Sequence, residues 1–241
     1  MDEIWLTRLF NDYLAAPGNL LLTLFHLPPS DRPWANFIVM QILVAALIVV
    51  LFAILKPKLS VDRPGKFQQI FEVIYEFVHS QGEDMVGHDG HKYATLFGTL
   101  FIFILICNLI GIIPGFESPT QVVYVPAGCA VISFLYYNFI GLRKNGVLKY
   151  LAHFAGPIWW MAPLMFVIEV ISHLARPLSL TIRLFANMYA GEQVTLVFLS
   201  LTYFIAPAIF MGLHVLVSLL QAYIFMLLTM MYVGGAVAEE H

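Results

Sequence analysis

The chain has 241 residues, 60% of them hydrophobic and only 11% charged, with a formal net charge of −3. An ordinary soluble domain is roughly 25% charged, and no water-soluble fold of this size hides so much apolar surface. A bilayer does, because lipid is then the solvent, and the near-neutral charge leaves no electrostatic footprint for a nucleic-acid partner. Cys107 and Cys129 each fall inside a long apolar run and read as small packing residues, with no disulfide or metal spacing around them. The N-terminal MDEIWLTRLF starts acidic, lacks the basic region and cleavage site of a secretory signal, and is not Arg/Ser-rich like a transit peptide. It is expected to persist in the mature chain.

A hydrocarbon core of about 30 Å needs about 20 apolar residues in helix. Residues 1–36 form a short N-terminal segment, with Trp34 as an interface anchor for the first span, Phe37 to Leu55. Residues 56–92 make a loop in which Phe67, Ile70, Phe71, Ile74, Phe77 and Val78 recur at helical spacing. That helix is expected either on the membrane surface or packed against the protein's own soluble part. The second span is Tyr93 to Gly115 and the third about Gln121 to Leu142, with Pro126 in its first turns. Beyond Pro157 the chain is apolar almost to its end, interrupted by Glu169, Arg176, Arg183 and Glu192. This stretch makes two long helices, 158–202 and 206–238, divided near Tyr203 to Pro207. The expectation is an all-α integral membrane protein of one domain. It has five transmembrane helices and a surface amphipathic helix, and the last two spans are long and strongly tilted.

Lys56, Lys58, Arg63 and Lys66 flank the first loop and Arg143, Lys144 and Lys149 the third, whereas Glu117 alone marks the second. The excess of basic residues places loops one and three in the cytoplasm, the N-terminus outside and the C-terminal AVAEEH inside. Trp159 and Trp160 read as part of an aromatic belt. His88 and His91, in HDGH, read as solvated loop residues and not as a metal site. No internal repeat or low-complexity segment is visible.

The segment MFVIEVISHLARPLSLTIRLFANMYAGE concentrates the chemistry. On an ideal helix Glu169, Ser172, Arg176 and Asn187 all fall within about 40° of Arg183, while Leu174, Ile182, Leu184 and Phe185 point elsewhere. Pro177 is placed to kink this helix. Each charge at the bilayer centre costs at least roughly 2.5–3.5 kcal/mol, so such a face must meet protein or a water-filled cavity. Glu169 lies about four turns from Arg183, and Glu192 about 180° around the helix unless Gly191 breaks it. Arg183 therefore lacks a counter-ion in this chain, which points to one on another subunit. The last helix carries His214, Ser218 and Gln221 at i, i+4 and i+7. Packed antiparallel, the two helices bring His214 towards Glu192, and such a pair exchanges protons near neutral pH. His173 reads as packing or interface.

RPLSLTIRLFANMYAGE resembles subunit a of F-type ATP synthases, most bacterial members of which carry a close variant of RLFGNMYAGE; Ala186 replaces the glycine here. NLIGIIPG (Asn108 to Gly115), GLHVLVSLLQAYIFMLLT and the order of spans extend the resemblance over most of the chain. It implies a non-catalytic stator subunit of a bacterial inner-membrane complex, with no cofactor or metal and with ATP chemistry on other subunits. The implied partners are the c-ring, the peripheral-stalk subunit b and lipid. By the same resemblance Arg183 matches the arginine that faces the ring's ion-carrying carboxylate, and Asn187 and Gln221 border that contact. Glu192 and His214 match the half-channel open to the outside, Glu169 and Ser172 the one open to the cytoplasm, and Arg176 has a minor role. Two other classes stand beside this one. A self-contained transporter would place an ion-pairing carboxylate within the chain and often shows inverted repeats; a structural anchor would need no polar stripe.

Overall fold

The computed structural model describes residues 3–24, 26, 28–60, 63–87, 90–113, 115–146, 162–201 and 205–237. His88, Lys149, Trp159, Trp160, Tyr203 and the C-terminal AEEH lie outside them. Eight α-helices account for most of the described residues, and there is no strand among them. Helix is the expected solution in lipid, where every backbone N–H and C=O must be satisfied within its own segment.

Two short helices, α1 (Trp5–Tyr13) and α2 (Ala15–Leu24), precede the first span. They are pinned to it by side chains. Asn11 Nδ2 donates to the Trp34 carbonyl at 3.2 Å, Asn11 Oδ1 accepts from Trp34 N at 3.0 Å, and the Trp34 indole donates to the Leu14 carbonyl at 2.6 Å. α3 (Asn36–Leu55) is apolar nearly throughout and mostly faces outward, burying Val39, Met40 and Val44 against α1 and α5.

α4 (Lys66–Val86) carries two apolar stripes. Val78 is buried, with Ile74 packed beside it in the core, and Phe77 meets the Tyr223 ring with centroids 5.6 Å apart. Tyr223 Oη also donates to Gln81 Oε1 at 3.3 Å. Phe67, Ile70 and Val73 remain exposed. One side of α4 thus packs on α5 and α8, and the other is exposed.

α5 (Ala94–Ile110) sits inside the bundle, with Phe97, Ile104, Cys107 and Asn108 fully buried. Its 17 residues span about 26 Å, at the short limit for crossing a membrane. α6 (Tyr124–Asn145) takes Pro126 in its first turn, where a missing N–H leaves no bond unmade. Arg143 and Lys144 end it, favourably placed against the helix dipole. Four helices among the described residues are long and apolar enough to span a membrane, and α5 is a shorter apolar helix between them. Cys107 and Cys129 are buried and unpaired with each other.

The last two helices, α7 (Ala162–Leu201) and α8 (Ile205–Val237), have 40 and 33 residues. At 1.5 Å per residue α7 is about 60 Å long, twice the hydrocarbon thickness. Pro177 stands inside it, and Thr181 Oγ1 closes back on the Pro177 carbonyl at 2.8 Å. α8 is the hub: α4, α5, α6 and α7 all pack on it, around a core of Phe97, Tyr137, Leu184, Met188, Phe225, Met226 and Met230.

Candidate ion pathway

α7 and α8 form an antiparallel hairpin, visible in a ladder of contacts that descends one helix as it climbs the other. Phe198 stacks on Phe210 with centroids 4.0 Å apart, Gly191 meets His214, and Ser218 Oγ points to Met188 Sδ at 3.9 Å. Below them Asn187 Nδ2 donates to Gln221 Oε1 at 2.8 Å, and Arg176 lies 5.2 Å from the centre of the Tyr232 ring. Four of the seven residues singled out in the sequence, Asn187, Gln221, Glu192 and His214, are positioned by this hairpin.

At its centre Arg183 is exposed on the outer surface of α7 and forms no ion pair among the described residues. Ser179, Ala186 and Ala190 are exposed on the same side. At 100° per residue they fall within about 60° of Arg183, so the arginine rises from a strip of small side chains among the large apolar ones of Leu178 and Ile182. Asn187, one turn on, reaches from this surface to Gln221, which is buried.

Glu192 lies about 180° around α7 from Arg183, and the helix is unbroken at Gly191. It is half-buried and receives Gln121, the last residue of a 3₁₀ turn, Pro119–Gln121, between α5 and α6. Gln121 Nε2 donates to Glu192 Oε2 and, at 3.0 Å, to Oε1. His214 sets the Nδ1 edge of its ring against Gly191, so closely that a methyl group there would come within 2.8 Å of Nδ1. Its Nε2 is buried and has no hydrogen-bond partner among the described residues. Glu117 stands close enough for its charge to be felt at Glu192, and Asn36 Nδ2 donates to Glu117 Oε2 at 3.2 Å.

Glu169 and Ser172 sit towards the other end of α7. Glu169 pairs with Arg176 at 3.6 Å, two turns away, both groups about one-third exposed. Such a pair contributes at most about 1 kcal/mol, but it gives Arg176 a definite partner as well as the Tyr232 ring. Ser172 is exposed and joins none of these contacts. His173 is buried between the rings of Phe134 and Tyr137, with Nε2 2.9 Å from Asn138 Oδ1, which is the environment of a packed histidine.

Sequence reasoning missed the turn that carries Gln121. Ser118 Oγ donates to the Cys107 carbonyl at 2.8 Å, Thr120 Oγ1 to Asn108 Oδ1 at 2.6 Å, and Asn108 Nδ2 to the Ser218 carbonyl at 3.4 Å. All four side chains of this group, Ser118, Thr120, Gln121 and Asn108, are buried. The signal was present as ESPTQ, four polar residues around Pro119 in a run too short to be a solvated domain and flanked on both sides by apolar spans.

A family model described as ATP synthase A chain matches residues 38–234. A protein named ATP synthase subunit a from Solibacter usitatus (strain Ellin6076) is 66% identical over 233 residues, covering 97% of this chain and 100% of the relative. Proteins of the same name from Koribacter versatilis (strain Ellin345) and Geobacter sulfurreducens are 49% and 46% identical, covering 99% and 83% of this chain and 98% and 86% of their own lengths. With a family model spanning most of the sequence and relatives aligned over nearly its whole length, the chain belongs to the ATP synthase A chain family, the proton-translocating subunits of that enzyme's membrane sector.

Proposed function

We propose that this chain is the stator half of the membrane motor of an F-type ATP synthase, providing two offset half-channels that load and unload carboxylates on the c-ring. The observation that carries the reading is Arg183, a permanent cation exposed on the apolar outer face of α7 with no ion pair among the described residues. A charge left in hydrocarbon is costly by several kcal/mol. A carboxylate on a neighbouring helix removes that cost, and Ser179, Ala186 and Ala190 let such a helix approach closely.

The placement of the groups supports the following chemistry. A proton arriving from outside passes Glu192 and His214 and neutralises a ring carboxylate, which can then rotate through lipid where its charged form could not. After nearly a full turn the site loses its proton towards Ser172 and Glu169, which Arg176 holds in place. The bare carboxylate then passes Arg183, whose guanidinium stays charged and favours the deprotonated form. Asn187 and Gln221 border that passage as a bonded pair. Arg183 also repels a proton crossing directly, and each proton that falls through 100 mV carries about 2.3 kcal/mol that a leak would forfeit.

In this reading the complex sits in a bacterial inner membrane, with the N-terminus outside, the C-terminus in the cytoplasm, and subunit b of the peripheral stalk beside the chain. Basic residues at Lys56, Lys58, Arg63, Lys66, Arg143 and Lys144 support that orientation. The test is Arg183→Ala in the assembled enzyme. Both ATP-driven proton pumping in inverted vesicles and ATP synthesis should fall to background while the complex still assembles, and normal coupled pumping would overturn the proposal.

A further inference from the structure

We infer that Gln121 is a positioning residue for Glu192, holding its carboxylate at the mouth of the outer route by a neutral double contact. The inference rests on the role proposed for Glu192 and assigns a function to the turn between α5 and α6.

The turn is built before Gln121 is considered. Gly111 follows α5, and a methyl group there would lie 2.8 Å from Ser118 Cβ and 2.9 Å from Ser118 N, so only glycine lets the chain fold back this tightly. Ser118 and Thr120, their hydroxyls 2.7 Å apart, then bond to the Cys107 carbonyl and to Asn108. These bonds satisfy the turn from within. The Gln121 side chain is not needed to close it, yet is only 4% exposed and is aimed at α7.

Its amide is oriented with Nε2 towards Glu192, because the opposite assignment would set oxygen against two carboxylate oxygens. An amide is the donor suited to a carboxylate that must both gain and lose a proton. It supports the ionised form by hydrogen bonding, and its carbonyl can accept from the protonated form after rotating. A lysine or arginine at this place would hold the carboxylate permanently ionised. Glu117 and His214 are the other titratable groups facing this end of α7, and Arg183 projects from its far side.

The experiment compares Gln121→Leu, Gln121→Asn, Gln121→Lys and Glu192→Gln in the intact enzyme, reading ATP-driven proton pumping in inverted vesicles against the amount of assembled complex. Gln121→Leu, close in size but without donors, should lower pumping about tenfold, the scale of one hydrogen bond to a charged group. Gln121→Asn, which keeps the amide on a shorter stem, should recover a substantial part, and Gln121→Lys should be at least as impaired as the leucine variant. Wild-type pumping by Gln121→Leu would overturn the inference. So would equal loss in the Leu and Asn variants, since packing of the turn alone would then explain it. Normal pumping by Glu192→Gln would instead remove the underlying role of Glu192, and with it any need for a positioning residue.

Discussion

Gly191 and Gln221 show how single residues constrain the α7–α8 hairpin. Glycine within a helix gives up about 1 kcal/mol relative to alanine, so Gly191→Ala should favour α7 as a helix. The added methyl would nevertheless lie 2.8 Å from His214 Nδ1, and the ring would have to turn away. The expected outcome is a variant that assembles normally and keeps its thermal stability but pumps several-fold more slowly. Undiminished pumping would show that the placement of His214 is unimportant. At Gln221 the balance reverses, because its amide is buried and answered by Asn187 at 2.8 Å. Asn187→Leu strands a buried acceptor and should lower stability by about 1–3 kcal/mol. Replacing both residues by leucine should be less harmful than the two single changes added together, which thermal unfolding of the detergent-solubilised complex can measure.

Among the elements, those that only had to be apolar were legible in the sequence. A run such as FIVMQILVAALIVVLFAIL has one stable state in lipid, and α3 is that helix. The polar stripe around Arg183 was equally plain, because helical spacing is a local property. Contacts between distant segments were not. Gln121 and Glu192 meet only because Gly111 folds the chain back and α7 is unbroken at Gly191, and no periodicity encodes that meeting. The place of Arg176 over Tyr232 was illegible for the same reason, since it depends on the register of α8, whereas its pairing with Glu169 lies within α7 itself. The amphipathic α4 shows a further limit, since periodicity finds an apolar face but cannot divide it between lipid and protein. Phe67 and Ile70 face outward while Val78 is buried. Ile70→Trp should therefore be strongly quenched by brominated lipids and Val78→Trp should not, and equal quenching of the two would refute the division.

For the whole molecule, the informative surface is the one left uncovered. α7 exposes Leu178, Ile182 and Tyr189 around Arg183, and if the ring docks here, a cysteine at Asn187 should crosslink to one on the ring's outer helix. Failure there, with control pairs elsewhere succeeding, would count against this docking face. The unbroken course of α7 has a consequence for biogenesis. Glu192 and Arg183 stand on opposite sides of one continuous helix. If the two proposed routes join only through the ring, the chain alone is an open circuit, and inserted into a membrane ahead of its ring it should leave the ion gradient of the cell intact. Liposomes holding only this subunit should keep an imposed potential as long as empty ones, and the conductance should arrive with the partner.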